Sequence, residues 1–346
     1  MRAAVQTGLR TLEVRDLPAP APGAGEALVR VHTAGICGSD LHPYHGRAEP
    51  QSLPDGHEVS GEVVALPADY HGPLRPGDLV ALDTICLGVA CGACALCRAG
   101  QPFHCPARTS GPRRGGGFAE LIARKTAGLF RLPPGLTAEQ GALVEPLAVG
   151  VHAVRWARLP AGASVAIIGA GTIGLMTLLA ARALGAGPVH VLARHAHQAA
   201  LAEALGATVV LPAEPATAIE QVRAATGGRG VDLVVETVGG HADTVNLAWE
   251  LARVQGTVAV VGIFSERVPV DLLRPVIREL WATFPICYGV IDGRHDFDVA
   301  IELIAAGRAP VERLVTHRLP LDAAPAAFRI AADKTTGSVK VHLLAR

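Results

Sequence analysis

The sequence predicts an α/β protein with an all-β, barrel-like domain and a doubly wound parallel-sheet domain. Three observations predict it. The chain has 346 residues, too many for one ordinary domain and comfortable for two. Its texture changes near Gly150, from short β-like runs broken by Gly and Pro to strand-like runs alternating with helical ones. At the head of that second series, an apolar strand runs into three spaced glycines and then into an apolar helix.

In the first part, Ala27–His32, Val59–Leu66 and Asp78–Ala81 read as short strands, separated by loops such as Pro18–Gly25. After residue 150, the strand Val165–Ile168 leads into the helix Ile173–Leu184, and Val189–Ala193 into Gln198–Leu205. Ile219–Ala225 reads as a helix before the strand Val231–Glu236, and Thr244–Leu251 as one before Val258–Gly262. Such alternation implies βαβ units and a parallel sheet. A helix at Phe297–Ala306 and a strand ending at Leu344 close the chain.

Formal net charge is zero and half of the residues are apolar, so nothing points to nucleic acid or an anionic membrane as a partner. The uncharged stretch Leu159–Ala181 is long enough to span a bilayer. It holds Pro160, four glycines, Ser164, Thr172 and Thr177, and is better explained as strand, turn and buried helix. The N-terminus lacks the apolar core of a secretory signal. Five of seven cysteines crowd into residues 86–105, which suggests metal in a cytoplasmic protein more than a disulfide scaffold. Cys86 and Cys287 have no assigned role, and burial is the default for both.

Cys91, Cys94, Cys97 and Cys105 are spaced C-x2-C-x2-C-x7-C. Four thiolates on one loop can close round a tetrahedral Zn²⁺ with no open position, as in a structural site. An iron–sulfur site or chance clustering is the alternative. Gly92 and Gly100 supply the turns.

A second, dispersed set consists of Cys37 in Gly35–His42, His57 and Glu58 in Gly56–Glu58, and Glu145 in Val144–Pro146. One sulfur, one nitrogen and a carboxylate would leave a zinc position open for water or substrate. Singly, Cys37 also reads as a small buried residue, Glu58 as a solvated charge and Glu145 as a helix-start carboxylate.

Val165–Gly174 carries G-x-G-x-x-G between a strand and a helix. Gly169 would make the turn, Gly171 would admit the pyrophosphate and Gly174 would let helix and strand pack closely. The helix N-terminus, with Thr172 and Ile173, offers N–H groups to phosphate. Where an acid for the ribose 2′-hydroxyl is expected, the second strand ends in Ala193 and Arg194 follows. Space and a cation there favour NADP(H) over NAD(H), with His195 and His197 as further donors, although Gln198 supplies no second cation. Val238 and Gly262 complete the expected cofactor positions.

Together these segments resemble the zinc-dependent medium-chain dehydrogenases, and within them the sorbitol (polyol) and threonine dehydrogenase branch. The carriers are Cys37–His42, Gly56–Gly61, Gly77–Val80, the four-cysteine loop, Leu143–Leu147, the glycine turn and Val315–Pro320. The resemblance spans essentially the whole chain. It implies a GroES-like catalytic domain from residues 1–149 and 288–346, with both zinc sites, and a Rossmann dinucleotide-binding domain from 150–287. It implies that Cys37 and His57 hold a catalytic zinc, with Glu58 and Glu145 as two matching positions for one carboxylate role. Ser39 matches the hydroxyl that takes the substrate proton, and His42 the residue that passes it on through the cofactor ribose. A hydride would then pass between the nicotinamide and a secondary alcohol, a polyol foremost, held in the cleft between the domains. A simple secondary-alcohol or threonine-type substrate is the alternative. Tyr44, His45, Arg47 and Glu120 are candidates for polar contacts to a polyol, though His45-Gly-Arg47 stands one residue closer to Cys37 than in the branch. A zinc-free quinone reductase would not need Cys37, His57 and Glu58. A non-catalytic cofactor-binding protein would not need Ser39 and His42. Family members are mostly tetramers or dimers, so a homo-oligomer is expected.

Overall fold

A computed structural model describes residues 1–46, 55–110 and 116–345. The chain divides into two compact units. One comprises Met1–Glu145, Asp292–Ala305 and Val311–Arg346; the other comprises Pro146–Ile291 and Ala306–Pro310.

The first unit is the GroES-like one. Its main sheet runs Val315–Pro320, Lys340–Leu344, Glu26–Gly35, Glu58–Ala65, Leu79–Asp83 and Leu129–Arg131, with Leu121–Lys125 also paired to Glu26–Gly35. Glu26–Gly35 is the hub because its inward side chains Ala27, Val29 and Val31 are all buried, while Leu28, Arg30 and His32 are only half-buried. Val63, Val80, Leu82, Phe118, Ile122, Phe328 and Leu343 join the same core.

Register brings three residues into one row: Gly35 faces Glu58, and Glu58 faces Asp83. Gly35 is glycine for a steric reason, since a Cβ there would stand 2.0 Å from Glu58 Oε2. Both Glu58 and Lys340 are buried, and Lys340 Nζ donates to both Glu58 oxygens at 2.6 Å and to the Ile36 carbonyl at 3.0 Å. The pair ties the last strand to the strands beside Cys37.

The second unit is the Rossmann one. Six parallel strands lie in the order Val209–Pro212, Val189–Ala193, Val165–Ile168, Val231–Glu236, Ala252–Val260, Trp281–Thr283. The first strand in sequence is central and later ones build outward on either side, which creates a switch point at its carboxyl end. Val165–Ile168 and Val189–Ala193 are buried at every residue, as strands covered on both faces must be. The uncharged stretch resolves into the strand Val165–Ile168 and the helix Thr172–Ala183. Among the described residues, no helix is long and apolar enough to cross a membrane. The helix expected from Ile219 begins earlier, at Pro215. Glu214 caps it by accepting N–H bonds from Ala216 and Thr217, and proline at the first helical position needs no donor.

Lys340→Met strands the Glu58 charge in the core, and should lower the unfolding free energy in urea by about 3–5 kcal/mol. Neutralising Glu58 as well, as Glu58→Gln, should restore most of that loss. If the single variant is as stable as wild type, the pair does not hold the barrel unit.

Candidate functional sites

Cys37 precedes the short 3-10 segment Gly38–Asp40, and its N–H donates to Asp40 Oδ2 at 2.8 Å. The other oxygen, Asp40 Oδ1, lies 3.5 Å from His57 Nδ1. One buried carboxylate thus orders both residues. With Nδ1 turned to Asp40, Nε2 is the ring nitrogen left for a metal. Burial disfavours the imidazolium of His57, but Asp40 and Cys37 outweigh it and hold the pKa well above the ordinary imidazole value.

The two candidate glutamates differ sharply. Glu58 spends both oxygens on Lys340. Glu145, second residue of the helix Val144–Trp156, is 4 % exposed and has no hydrogen bond or ion pair among the described residues. Burial pushes its carboxyl up to about 8, against the pull of His57 and Lys340 and with the push of Glu58 and Asp83. A buried carboxylate in that state is the one that gains most from a cation.

Ser39 is exposed on the turn after Cys37, and His42 is half-buried on the next turn, Leu41–Tyr44. Tyr44 is not a polar group for a polyol: it is 4 % exposed and packs on Phe328 at 5.7 Å between ring centroids. His45 sets its ring edge-on to Tyr44, Glu120 pairs with Arg2 at 3.0 Å, and Arg47 lies outside the described residues.

Cys91, Cys94, Cys97 and Cys105 form a compact cluster, with sulfurs 3.5 Å apart for Cys94–Cys97 and Cys91–Cys105 and 3.9 Å for Cys91–Cys97. A tetrahedron with Zn–S of about 2.3 Å has edges of about 3.8 Å, so the sulfurs already stand at metal-binding spacing. None is in a disulfide. N–H groups of Ala93 and Cys94 bring the Cys91 thiol down to about 6, while loss of solvation and the neighbouring Cys94 push Cys97 up to about 12. Gly92 and Gly100 take left-handed φ of 74° and 77°, as the loop's turns require. Besides this cluster, Asp40, Asp55 and His57 also bring donor atoms within 4.8 Å of one another. Cys86 is buried, whereas Cys287 is only half-buried, on a left-handed turn with φ of 52°, so the default of burial fails there.

In the second unit the three glycines have three different surroundings. Gly169 has φ of 103°, and a Cβ there would stand 2.8 Å from Val238. A Cβ on Gly174 would lie 1.9 Å from the Gly169 carbonyl oxygen, but one on Gly171 would meet nothing within 4 Å. Open space over Gly171, at the N-cap of the helix Thr172–Ala183, is the cradle a pyrophosphate requires. Thr172 and Ile173 are half-buried in its first turn. Ala193 is buried at the end of its strand, Arg194 is exposed just beyond it, and Val238 and Gly262 lie just past the ends of two further strands.

Asp40 and Lys340 carry this geometry without having been singled out in the sequence. Asp40 had a local signal, Cys-x-x-Asp before a helical turn. Lys340 had only its place on an apolar strand, where a charge must find a partner or water.

Gly171→Val and Gly174→Val should separate. Gly171→Val should leave thermal unfolding unchanged and weaken NAD(P)H binding about tenfold or more, or 1.4 kcal/mol. Gly174→Val should cost stability by about 1–3 kcal/mol through overpacking. Equal effects of both on stability would contradict these roles.

Residues 23–134 match the alcohol dehydrogenase GroES-like domain family, and residues 172–306 the zinc-binding dehydrogenase family. Sorbitol dehydrogenase of Bacillus subtilis (strain 168) is 33% identical over 331 residues, 93% of this chain and 91% of that protein. The alcohol dehydrogenase TADH from Thermus sp. ATN1 superposes with a TM-score of 0.88 at 33% identity, covering 100% of both chains. A zinc-binding dehydrogenase from Sinorhizobium meliloti 1021, bound to NADP, superposes with a TM-score of 0.86 at 32% identity, covering 99% of this chain and 98% of that one. The chain therefore belongs to the zinc-dependent medium-chain dehydrogenases, in their sorbitol dehydrogenase-like branch, and is an oxidoreductase that uses zinc and a nicotinamide dinucleotide.

Proposed function

We propose that the protein oxidises a secondary alcohol, foremost a polyol, to a ketone, reversibly and with NADP(H) ahead of NAD(H). The reading rests on Cys37, His57 and Glu145 of the barrel unit, with His57 in electrostatic reach of both Cys37 and Glu145. Cys37 and His57 are ordered by the same Asp40, and Glu145 is buried with no hydrogen bond or ion pair among the described residues. Because Lys340 occupies Glu58, the catalytic metal falls to Cys37, His57 and Glu145. Bound there, zinc would supply the Lewis acidity that makes an alcohol easier to deprotonate. Ser39, exposed two residues after Cys37, takes the proton on Oγ, and His42 relays it to solvent. Asp40 keeps the His57 ring in one orientation throughout.

The four cysteines hold a second zinc that orders their loop and does no chemistry. The G-x-G-x-x-G turn seats the pyrophosphate, Thr172 and Ile173 supply the helix end, and Ala193, Val238 and Gly262 flank the groove. Arg194 pairs with a 2′-phosphate, in line with the NADP held by the Sinorhizobium neighbour. Polyol preference rests on the sorbitol dehydrogenase relative. A simple secondary alcohol is the second reading, favoured by Tyr44 being core and Glu120 being paired with Arg2.

The protein is also proposed to be a homo-oligomer. Trp281–Thr283 is the edge of the parallel sheet, and Leu272, Val276, Trp281 and Phe284 around it are 68–72 % exposed. A second copy pairing edge to edge would satisfy the strand and cover those side chains. A monomer in sedimentation velocity at micromolar concentration would exclude it.

Wild type should hold about two zinc ions per chain, and Cys37→Ser should keep about one and lose turnover. Cys97→Ser should lose the other, and stability with it. Full activity in metal-free protein would sink the mechanism. A panel of polyols, threonine and simple secondary alcohols, run with both cofactors, should give the highest kcat/KM for a polyol with NADP⁺. A strong preference for NAD⁺ would contradict the role of Arg194.

A further inference from the structure

Glu236 ends the strand Val231–Glu236 and is fully buried. Its Oε1 accepts three hydrogen bonds, from the N–H groups of Val238 at 2.8 Å and Gly239 at 3.0 Å and from the Thr244 hydroxyl at 2.8 Å. Its backbone carbonyl accepts the N–H groups of Val261 at 2.9 Å and Gly262 at 3.1 Å. Oε2 has no hydrogen-bond partner among the described residues. It lies 2.4 Å from where a Cβ on Gly262 would stand, so only glycine fits there.

The neighbours of Glu236 tie the same segments together. Thr237 donates its N–H at 3.0 Å and its hydroxyl at 2.8 Å to the Ile168 carbonyl, immediately before the glycine turn. Gly240 N–H donates to the Ile263 carbonyl at 2.8 Å. Gly239 has φ of 62°, and a Cβ there would stand 2.5 Å from that same carbonyl oxygen. Glu236 therefore joins two crests at the carboxyl end of the sheet, Thr237–Gly240 through its side chain and Val261–Gly262 through its backbone carbonyl, and its neighbour Thr237 ties the first of them to Ile168 before the glycine turn. A buried acceptor left without a donor works against stability. A leucine or valine would fill the volume without that burden, so packing alone does not account for a carboxylate.

We propose that Glu236 is a positioning residue for the nicotinamide dinucleotide. Its carboxylate fixes the crest Thr237–Gly240, which Thr237 ties to the strand end before the glycine turn, so that the groove is formed before the cofactor arrives. This rests on the dinucleotide reading of that turn. Glu236 acts through the backbone of Val238 and Gly239. An ordered crest spares the ordering entropy that a loose one would lose on binding.

The test uses zinc-loaded Glu236→Ala, Glu236→Gln and Thr244→Val, with two readouts. Hydrogen exchange reports the brace at the amides of Val238 and Gly239, and fluorescence titration gives Kd for NADH and NADPH. In Glu236→Ala those amides should exchange faster, and Kd should rise about tenfold while kcat at saturating cofactor stays within about threefold. Glu236→Gln, which keeps the Oε1 acceptor, should stay within about threefold of wild type in Kd. A merely structural residue would lower the folded fraction without changing Kd for the chains that remain folded. Faster exchange with wild-type Kd would overturn the proposal. If Glu236→Ala does not fold, Thr244→Val removes one of the three donors and decides it. A rise in Kd of about two- to threefold supports the brace, and an unchanged Kd refutes it. Wild type that binds neither nucleotide would contradict the dinucleotide reading instead.

Discussion

Lys340 reaches both oxygens of Glu58 at 2.6 Å inside the barrel unit, across 282 residues of sequence. The same ammonium holds the Ile36 carbonyl, one residue before Cys37. Much of the proposed metal centre follows from this contact. It fixes the strand end from which the Cys37 turn departs, and it neutralises a carboxylate next to His57. It requires Gly35, because the Glu58 carboxylate fills the place of a side chain there. It also leaves Glu145 as a buried acid with no hydrogen bond or ion pair among the described residues. An unpaired carboxylate in a low-dielectric site either keeps its proton or acquires a cation.

Buried carboxylates recur as organisers of backbone as well as of charge. Asp40 accepts the Cys37 N–H and faces His57, so a residue that touches no substrate in the proposed mechanism sets two metal donors. Asp83 accepts the N–H groups of Cys86 and Leu87 at 2.7 Å, at the start of the segment that leads to the four-cysteine loop. In the other unit Glu236 takes the Val238 and Gly239 N–H groups and the Thr244 hydroxyl beside the glycine turn. Each carboxylate takes up backbone N–H groups that strand ends and turns leave without partners. The four-cysteine loop is built differently. Its donors are close in sequence, its turns are set by glycines, and its sulfurs stand at metal spacing through local N–H···S contacts.

What was legible in the sequence was local. Gly169, Gly171 and Gly174 could be given separate duties from spacing alone, and in the structure Gly169 takes a left-handed turn, Gly174 packs against its carbonyl and Gly171 stands in open space. The strands Val165–Ile168, Val189–Ala193 and Val231–Glu236 were readable to the residue, because buried parallel strands are short apolar runs. Resolving Glu58 from Glu145 needed a partner from the far end of the chain, and no window of sequence contains both Glu58 and Lys340. Tyr44 was misleading for a related reason. Its hydroxyl suggested a polar contact, yet its ring belongs to the core with Phe328, on a helix from the C-terminal segment. Glu236 stood in the sequence only as the end of a strand, and its burial and three donors became visible in the structure.

In the proposed centre the metal takes Glu145 because Lys340 holds Glu58. An anomalous difference map at the zinc edge, from crystals of the zinc-loaded enzyme, tests it most directly. The expected result is a zinc on Cys37 Sγ, His57 Nε2 and the Glu145 carboxylate, with Glu58 still on Lys340. Zinc on Glu58, with Lys340 released and Glu145 outside the coordination sphere, would contradict it.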